Sequence, residues 1–161
     1  MPRVSNTMCK DKSLLKKPEN SKRKPRQSLV LPFEAPPELC EALEQIGKCL
    51  RVSSGIILFR QGQRNLGVFV VMSGRFALSA GDDPYRVTRI AQKGSLLGLP
   101  ATIRQKPYSL TAEAVTDSVV WLVSPERFRN LLSENTTLGF VVLTMLADEV
   151  SNLRRLQVRK V

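Results

Sequence analysis

The stretch GIILFRQGQRNLGVFVVMSGRFALSAGDDPYRVTRIAQKGSLLGLPATIRQKPYSLTAEAVTDSVVWLV, residues Gly55 to Val123, decides the fold of this chain. It contains short apolar or alternating segments separated by glycines and turn clusters. Short strands at intervals of roughly 8–12 residues are typical of a barrel or sandwich rather than of an alternating α/β sheet. The six predicted strands are Ile56 to Phe59, Val68 to Met72, Arg75 to Ala80, Tyr85 to Ala91, Ser109 to Ala114 and Ser118 to Val123.

Helical patterns flank this region on both sides. Before it, Pro37 begins a segment with apolar residues at spacings of three and four, which predicts one apolar helical face. After it, Ser124 is a suitable N-cap and Pro125 suits the first position of a short helix. A second, longer helix is predicted from about Thr137 to Gln157. The apolar face of the first predicted helix consists of Leu39, Ala42, Leu43, Ile46 and Leu50.

Five segments in this order resemble one known family. Together they are similar to the cyclic nucleotide-binding domain of the catabolite activator and fumarate-nitrate regulator superfamily, over roughly Pro36 to Gln157. The resemblance implies a mainly β fold with flanking helices, a jelly-roll-type β-roll followed by a long C-terminal dimerisation helix. The segments are GIILFRQGQ (Gly55 to Gln63), VFVVMSGRFALS (Val68 to Ser79), GSLLGLPA (Gly94 to Ala101), PYSLTAEAVTDSVVWLV (Pro107 to Val123) and SPERFRNLLSEN (Ser124 to Asn135).

The resemblance also implies where a ligand would bind. Family members that bind cyclic nucleotides carry a phosphate-binding cassette, in which a glutamate accepts from the ribose hydroxyl and an arginine pairs with the phosphate. In this chain Leu96 stands at the place of the glutamate and Lys106 at or near the place of the arginine. Leucine cannot accept a hydrogen bond, and lysine lacks the planar fork that binds phosphate through two parallel bonds. The cassette is therefore degenerate for a cyclic nucleotide.

The loss of the glutamate and arginine contacts has a rough cost in binding free energy. A charge-assisted hydrogen bond is worth roughly 1.5–3 kcal/mol, and two such losses weaken binding by about 10²- to 10⁴-fold. We therefore expect no bound cofactor, although Arg104 lies close enough along the chain to Lys106 to leave cyclic nucleotide binding as an alternative. The residues of the degenerate cassette expected to contact a ligand are Leu96, Leu97, Gly98, Leu99, Arg104, Lys106, Tyr108 and Ser109.

The long C-terminal helix predicts a homodimer. It carries an apolar seam at spacings of three and four, close to a coiled-coil pattern over about two heptads. The alternative is that this seam only covers the roll of its own subunit. Further apolar residues at Val141, Leu143 and Met145 indicate a second apolar face, which favours two partners for the helix. The predicted dimer seam consists of Val142, Leu146, Val150 and Leu153.

The N-terminal residues are of different composition. The first 31 residues hold nine basic residues against Asp11 and Glu19 and carry +7 of the chain's net charge of +11. They have too few large apolar side chains to offset the entropy of ordering. The prediction is a basic disordered tail over residues 1–35 and one domain over residues 36–161. The tail is either a solvated segment or a basic arm for nucleic acid or another anionic surface.

Composition and length exclude several functional classes. The chain has no histidine, which removes the commonest general base and metal ligand, so we expect neither an enzyme nor a metal site. Its three cysteines are scattered, whereas iron–sulfur clusters usually need four. No apolar run is long enough for a membrane span and no secretory signal is present, which predicts a cytoplasmic protein that does not bind membranes. The resemblance implies a helix-turn-helix module after the long helix, and we expect this chain to lack one.

Two functions remain after these exclusions. The first is a non-catalytic regulatory sensor that acts through dimerisation or through a partner protein. The second is a nucleic-acid-binding transcription regulator that uses its basic N-terminal tail. The residues predicted to be buried in the roll under either function are Ile57, Phe59, Phe69, Val71, Phe76, Val87, Val119 and Trp121.

Overall fold

A computed structural model describes residues 34–81 and 87–158, without the side chains of residues 87–88 and 156–158. The chain forms eight strands and four helices in these ranges. In chain order they are α1 (Pro37–Ile46), β1 (Lys48–Val52), β2 (Ile57–Phe59), β3 (Val68–Ser73), β4 (Phe76–Ser79), β5 (Val87–Ala91), β6 (Leu96–Leu97), α2 (Leu99–Arg104), β7 (Thr111–Ala114), β8 (Ser118–Val123), α3 (Pro125–Glu134) and α4 (Thr136–Val158).

The strands form two four-stranded antiparallel sheets. The first sheet has the order β1-β8-β3-β6 and the second has the order β2-β7-β4-β5. The predicted class, a mainly β roll with flanking helices and a long C-terminal helix, is confirmed. Both sheets contain strands from distant parts of the chain, so the roll closes through long-range pairing.

The first sheet is buried on both faces, and β3 shows why. Phe69 and Val71 point between the two sheets, whereas Val68 and Val70 point toward the helices. Because both faces of β3 are covered, every residue from Val68 to Val71 is apolar and no alternation is visible in the sequence. The register that the sequence left uncertain is thus set by packing on two sides.

Two apolar clusters result, one on each face of the first sheet. The inter-sheet cluster consists of Val52, Phe59, Phe69, Val71, Phe76, Ala91, Leu97, Ala101, Tyr108, Ala112, Ala114 and Val120. The helix cluster, between the sheet and the helices, consists of Ala35, Leu39, Leu43, Val68, Val70, Leu96, Leu99, Val123, Phe128, Leu138 and Val142.

The first helix is shorter than its apolar pattern predicts. α1 ends at Ile46, and Leu50 belongs to β1, where it pairs with Val120 of β8. The inclusion of Leu50 in the helix is therefore wrong. Pairing with β8 along all five residues of β1 overrides the local helical spacing. The two-residue strand β6 was also missed, because two residues are too few to show a period.

The last two helices agree closely with their patterns. The Ser124 hydroxyl accepts a hydrogen bond from the Arg127 backbone N–H at 3.3 Å, and Pro125 stands in the first turn of α3. This N-cap was predicted and is confirmed. α4 begins one residue before the predicted start.

The predicted core is confirmed at four positions and only partly at three others. Phe59, Phe69, Val71 and Phe76 are buried. The side chain of Val87 lies outside the described residues. Those of Ile57, Val119 and Trp121 are half-buried, and Trp121 packs against the helix cluster.

The described residues include two, Glu34 and Ala35, that precede the expected domain boundary at residue 36. Glu34 forms a bridge with Ser95, and the Ala35 N–H donates to the Gly94 carbonyl at 2.8 Å. The rest of the predicted basic tail, residues 1–33, lies outside the described residues, as does Tyr85 at the start of the fourth predicted strand. Within the part of the chain that the structure describes, no helix is both long and apolar enough to cross a membrane.

Candidate functional site

A cavity of about 100 Å³ opens at one end of the inter-sheet cluster. Strands β4 and β5, the segment from β6 into α2, and the segment before β7 form its walls. The lining is mostly apolar, with a small number of polar groups, which is the usual composition of a small-molecule site. The lining residues are Phe59, Leu78, Arg89, Ile90, Ala91, Ser95, Leu96, Leu97, Gly98, Pro100, Ala101, Tyr108, Ser109, Leu110 and Glu149.

Gly98 lets the chain turn sharply from β6 into α2. Its φ of +77° lies in the left-handed region, which glycine adopts without steric cost. A Cβ at this position would lie 2.6 Å from Cε1 of Tyr108. The close approach brings the tyrosine ring directly against the start of the cassette helix.

Tyr108 is the largest fully buried side chain of the inter-sheet cluster. Its ring stacks on Phe59 with the centroids 4.0 Å apart. Its hydroxyl donates to the Gly67 carbonyl at 2.8 Å and accepts from the Leu66 N–H at 3.0 Å. Burial raises the pKa of the Tyr108 phenol, and these two backbone hydrogen bonds partly oppose the rise. Tyr108 thus lines the cavity as an uncharged residue whose hydroxyl has both a donor and an acceptor partner.

The polar groups around α2 satisfy one another. Asn65 Oδ1 accepts from the Gly67 N–H at 2.7 Å and from the Thr102 hydroxyl at 3.2 Å. The single proton of that hydroxyl is shared with the Gly98 carbonyl, which lies closer, at 2.8 Å. Among the described residues, no buried side-chain nitrogen or oxygen lacks a hydrogen-bond partner. These hydrogen bonds hold the segment before β3 against the start of α2.

The structure brings five of the eight predicted cassette residues to the cavity. Leu96, Leu97, Gly98, Tyr108 and Ser109 line it. The other three are separated from it, because the side chain of Leu99 is buried in the helix cluster while Arg104 and Lys106 are exposed at the far end of α2.

An ion pair lies at the cavity wall. The Arg89 guanidinium on β5 binds the Glu149 carboxylate on α4, and their side chains are 20% and 12% exposed. It is the only ion pair among residues 34–81 and 87–158. It ties the second sheet directly to the C-terminal helix.

The four residues of the predicted dimer seam divide between two faces of α4. Val142 is buried and Leu146 is half-buried, and both pack in the helix cluster of their own subunit. Val150 and Leu153 are exposed. These four residues therefore do not form one exposed seam, because the roll covers the first two.

A different face of α4 is apolar and exposed. Phe140 and Leu143 are 70% and 60% exposed, and Val150 and Leu153 are 48% and 41% exposed. Of these, Phe140, Leu143 and Val150 have the spacing of three and seven residues that places side chains on one side of a helix. The side chain of Gln157, the last position of the predicted helix, lies outside the described residues.

Sequence reasoning missed Arg89 and Glu149 as site residues, although a signal for Glu149 was present. Glu149 follows Val142 and Leu146 at helical spacing, so it falls on an otherwise apolar stripe of α4. A carboxylate on such a stripe predicts a basic partner on the surface that the helix covers. Which basic residue would be that partner depends on how the second sheet packs.

No metal centre is evident in the described parts of the chain, where no group of three or more His, Cys, Asp or Glu residues could hold an ion. The thiol of Cys40 donates to the Ala35 carbonyl at 3.6 Å. Burial, and then the carboxylates of Glu44 and Glu41, raise the pKa of this thiol. The protonated form of Cys40 is therefore favoured, which makes it a poor nucleophile.

Comparison with known proteins identifies a family model that matches residues 49–135, described as the cyclic nucleotide-binding domain. Among curated proteins, a cGMP-dependent protein kinase of Plasmodium berghei (strain Anka) is 29% identical over 98 residues. The match covers 61% of this chain and 11% of the kinase. The chain thus spans about a tenth of that relative's length.

Solved structures show the same fold. The catabolite activator protein of Thermus thermophilus aligns with a TM-score of 0.62 at 20% identity, covering 77% of this chain and 58% of that chain. The c-di-GMP responsive global regulator CLP of Xanthomonas campestris aligns with a TM-score of 0.64 at 19% identity, covering 76% of this chain and 63% of that chain. A cyclic nucleotide-binding-like protein of Brucella abortus is 30% identical, with a TM-score of 0.51, over 61% of this chain and 85% of that chain.

Proposed function

This chain belongs to the cyclic nucleotide-binding domain family, and we propose that it is a non-catalytic regulatory sensor whose cassette no longer suits a cyclic nucleotide. It would act as a homodimer or through a partner protein. The chain spans little more than half of the activator structure and about a tenth of the kinase, so their activities are not carried over to it.

One observation carries the proposal for the cassette, which is that its two cations are not among the residues that line the cavity. Arg104 and Lys106 are exposed and do not line the cavity. The uncharged phenol ring of Tyr108 lies beside Gly98 at the start of α2. Among the described residues that line the cavity, a cyclic phosphate would meet one guanidinium, that of Arg89, which is already paired with Glu149. The N–H groups of Leu66 and Gly67 also have partners already.

The volume of the cavity supports the same proposal. At about 100 Å³ it is smaller than the roughly 300–1,000 Å³ that is typical of sites for drug-sized ligands. A whole cyclic nucleotide would require the inter-sheet cluster to rearrange, and Tyr108 with it. Such a rearrangement would break the stacking on Phe59 and both hydrogen bonds of the hydroxyl.

The homodimer is proposed on the exposed face of α4. Phe140, Leu143 and Val150 lie on this face, and Leu153 continues the exposed apolar surface toward the end of the helix. Exposed apolar patches on a soluble domain mark interaction sites, and two copies of one helix can cover each other along a two-fold axis. This differs from the seam drawn from sequence, which included Val142 and Leu146.

The proposal is tested by calorimetric titration with cyclic AMP and cyclic GMP, together with sedimentation equilibrium. Two missing charge-assisted contacts should move a micromolar dissociation constant to about the millimolar range. The mass should be twice the 18.0 kDa of the chain. A micromolar constant for either nucleotide would overturn the degenerate cassette, and a monomer at high concentration would overturn the dimer.

A further inference from the structure

The cavity combines an apolar body with one fixed positive charge. Among the described residues that line it, Arg89 is the only basic one. Leu78, Ile90 and Ala91 of the second sheet lie with Phe59 and Leu97 around the apolar part. A ligand that matches both features carries one negative charge at one end of an apolar body.

The charge of Arg89 is already paired, and its partner comes from the chain itself. Glu149 presents a carboxylate from α4 to the guanidinium at the edge of the cavity. Both side chains are largely buried, so either charge would be costly to leave unpaired. Glu149 therefore occupies the position that the carboxylate of a ligand would take.

From this arrangement we propose that the cavity binds a small apolar monocarboxylate, whose carboxylate replaces that of Glu149 on Arg89. This inference rests on the proposed function, since it assigns a ligand class to the proposed sensor. One carboxylate replaces another, so the guanidinium keeps a charge-assisted hydrogen bond throughout. The favourable binding free energy comes from the apolar body of the ligand, which is transferred from water into the cavity.

The volume sets the size of the ligand. An apolar cavity of about 150 Å³ holds benzene, so a cavity of about 100 Å³ suits a smaller body of about four or five carbon atoms. Short-chain fatty acids such as pentanoate and hexanoate have this size and charge. A free phosphate or acetate has the charge without the apolar body.

The exchange gives a route for the signal. Arg89–Glu149 ties β5 to the second half of α4, beyond the residues that pack in the helix cluster. When the ligand takes Arg89, Glu149 is released to solvent and this tie is lost. The same half of α4 carries Val150 and Leu153 of the exposed apolar face, so ligand binding changes how firmly that face is held.

The test is calorimetric titration of the full chain with hexanoate, hexan-1-ol and acetate. Hexanoate should bind at least tenfold more tightly than hexanol, and acetate should bind more weakly than hexanoate. Arg89→Gln should weaken hexanoate binding at least tenfold and leave hexanol binding unchanged. Lys93→Gln is the matched control, because it removes an exposed positive charge in the turn after β5 that does not line the cavity.

Glu149→Gln gives the opposite and more specific result. This substitution removes the carboxylate that competes for Arg89, so the variant should bind hexanoate more tightly than the wild type does. Since Arg89→Gln leaves Glu149 without its partner and can impair folding, the double variant Arg89→Gln/Glu149→Gln removes both charges together. This double variant should bind hexanoate and hexanol with similar affinity.

Three results would overturn the inference: equal affinity of the wild type for hexanoate and hexanol, an equal effect of Arg89→Gln and Lys93→Gln, or weaker hexanoate binding by Glu149→Gln. The proposed function fails on separate readouts. Micromolar cyclic AMP binding would contradict the degenerate cassette, and a monomeric mass would contradict the homodimer. A dimeric protein that binds neither cyclic AMP nor hexanoate would contradict only the proposal of a monocarboxylate ligand.

Discussion

The helix cluster and the inter-sheet cluster lie on opposite faces of the same sheet, yet they are built differently. The buried residues of the helix cluster are all apolar, and Leu39, Leu43 and Phe128 are fully buried. The inter-sheet cluster contains a buried tyrosine with hydrogen bonds and ends in a cavity with an ion pair at its wall. The first arrangement favours stability, and the second leaves room for a ligand.

The comparison indicates where substitutions should cost most. Close-packed apolar regions lose several kcal/mol when a charge enters them, because the charge loses its hydration and finds no partner. A region that already contains a cavity and polar groups should tolerate small changes in volume better. Each of the following predictions tests one side of this difference.

The largest effect is expected at two neighbouring positions of α4. Val142 is 2% exposed in the helix cluster, whereas Leu143 is 60% exposed. Val142→Asp buries a carboxylate without a partner and should cost roughly 3–5 kcal/mol of unfolding free energy. Leu143→Asp should leave the isolated subunit within about 0.5 kcal/mol of the wild type. Urea unfolding at several protein concentrations measures both.

The concentration dependence separates folding from assembly in this pair. Any loss of stability in Leu143→Asp should shrink on dilution, since it comes from the lost dimer, and its mass should be that of one chain. If the two variants lost equal unfolding free energy at every protein concentration, the distinction between a buried and an exposed face of α4 would be contradicted.

A smaller effect is expected at the polar group of the inter-sheet cluster. Tyr108→Phe keeps the ring against Phe59 but leaves the Leu66 N–H and the Gly67 carbonyl without the hydroxyl. Unpaired buried groups of this kind cost about 1–3 kcal/mol. Urea unfolding at pH 8 should show this loss.

The same variant should change the response to alkaline pH. The pKa of Tyr108 is raised in the folded state above its ordinary value of 10.0. Folding therefore favours the neutral phenol, so this contribution to stability is complete below pH 10 and is lost as the pH rises through the folded-state pKa. The difference in unfolding free energy between the wild type and Tyr108→Phe should thus narrow above pH 10. Parallel plots of unfolding free energy against pH for the two proteins would contradict the burial of the phenol.

The smallest effect is expected from filling the cavity. Ala91 lines the cavity, whereas Ala114 is equally apolar and buried in the same cluster but away from it. Ala114→Val should overpack and cost about 1–3 kcal/mol, while Ala91→Val should cost less than about 1.5 kcal/mol. Thermal unfolding of the two variants compares them, and an equal cost would mean that the cavity does not relieve packing at Ala91.

The parts of the fold that local pattern predicts are those with a clear period or a cap. Five of the six predicted strands coincide with β2, β3, β4, β7 and β8, and the fourth agrees with β5 from Val87 onward. Ser124 and Pro125 mark the start of α3 because capping and helix entry depend only on neighbouring residues. Leu50 was misplaced because its helical spacing competes with a strand pairing to Val120, seventy residues away.

The candidate site was only partly predictable for the same physical reason. Resemblance to a family marks the segment around Gly98 as the place of a cassette, and the absence of a suitable glutamate and arginine there is readable from sequence. Arg104 and Lys106 are exposed and do not line the cavity, whereas Tyr108 does. The place of Tyr108 depends on the turn at Gly98 and on stacking with Phe59.

Residue identity and local spacing predict the short strands and the flanking helices, and resemblance to a family predicts the β-roll and a poor match to a cyclic nucleotide. The assembly of two sheets and four helices was needed to divide α4 into a buried and an exposed face and to bring Arg89 to Glu149. Local spacing is set by backbone geometry that every segment carries with it. A contact between β5 and α4 exists because distant strands close the roll, and no periodicity in either segment encodes the other.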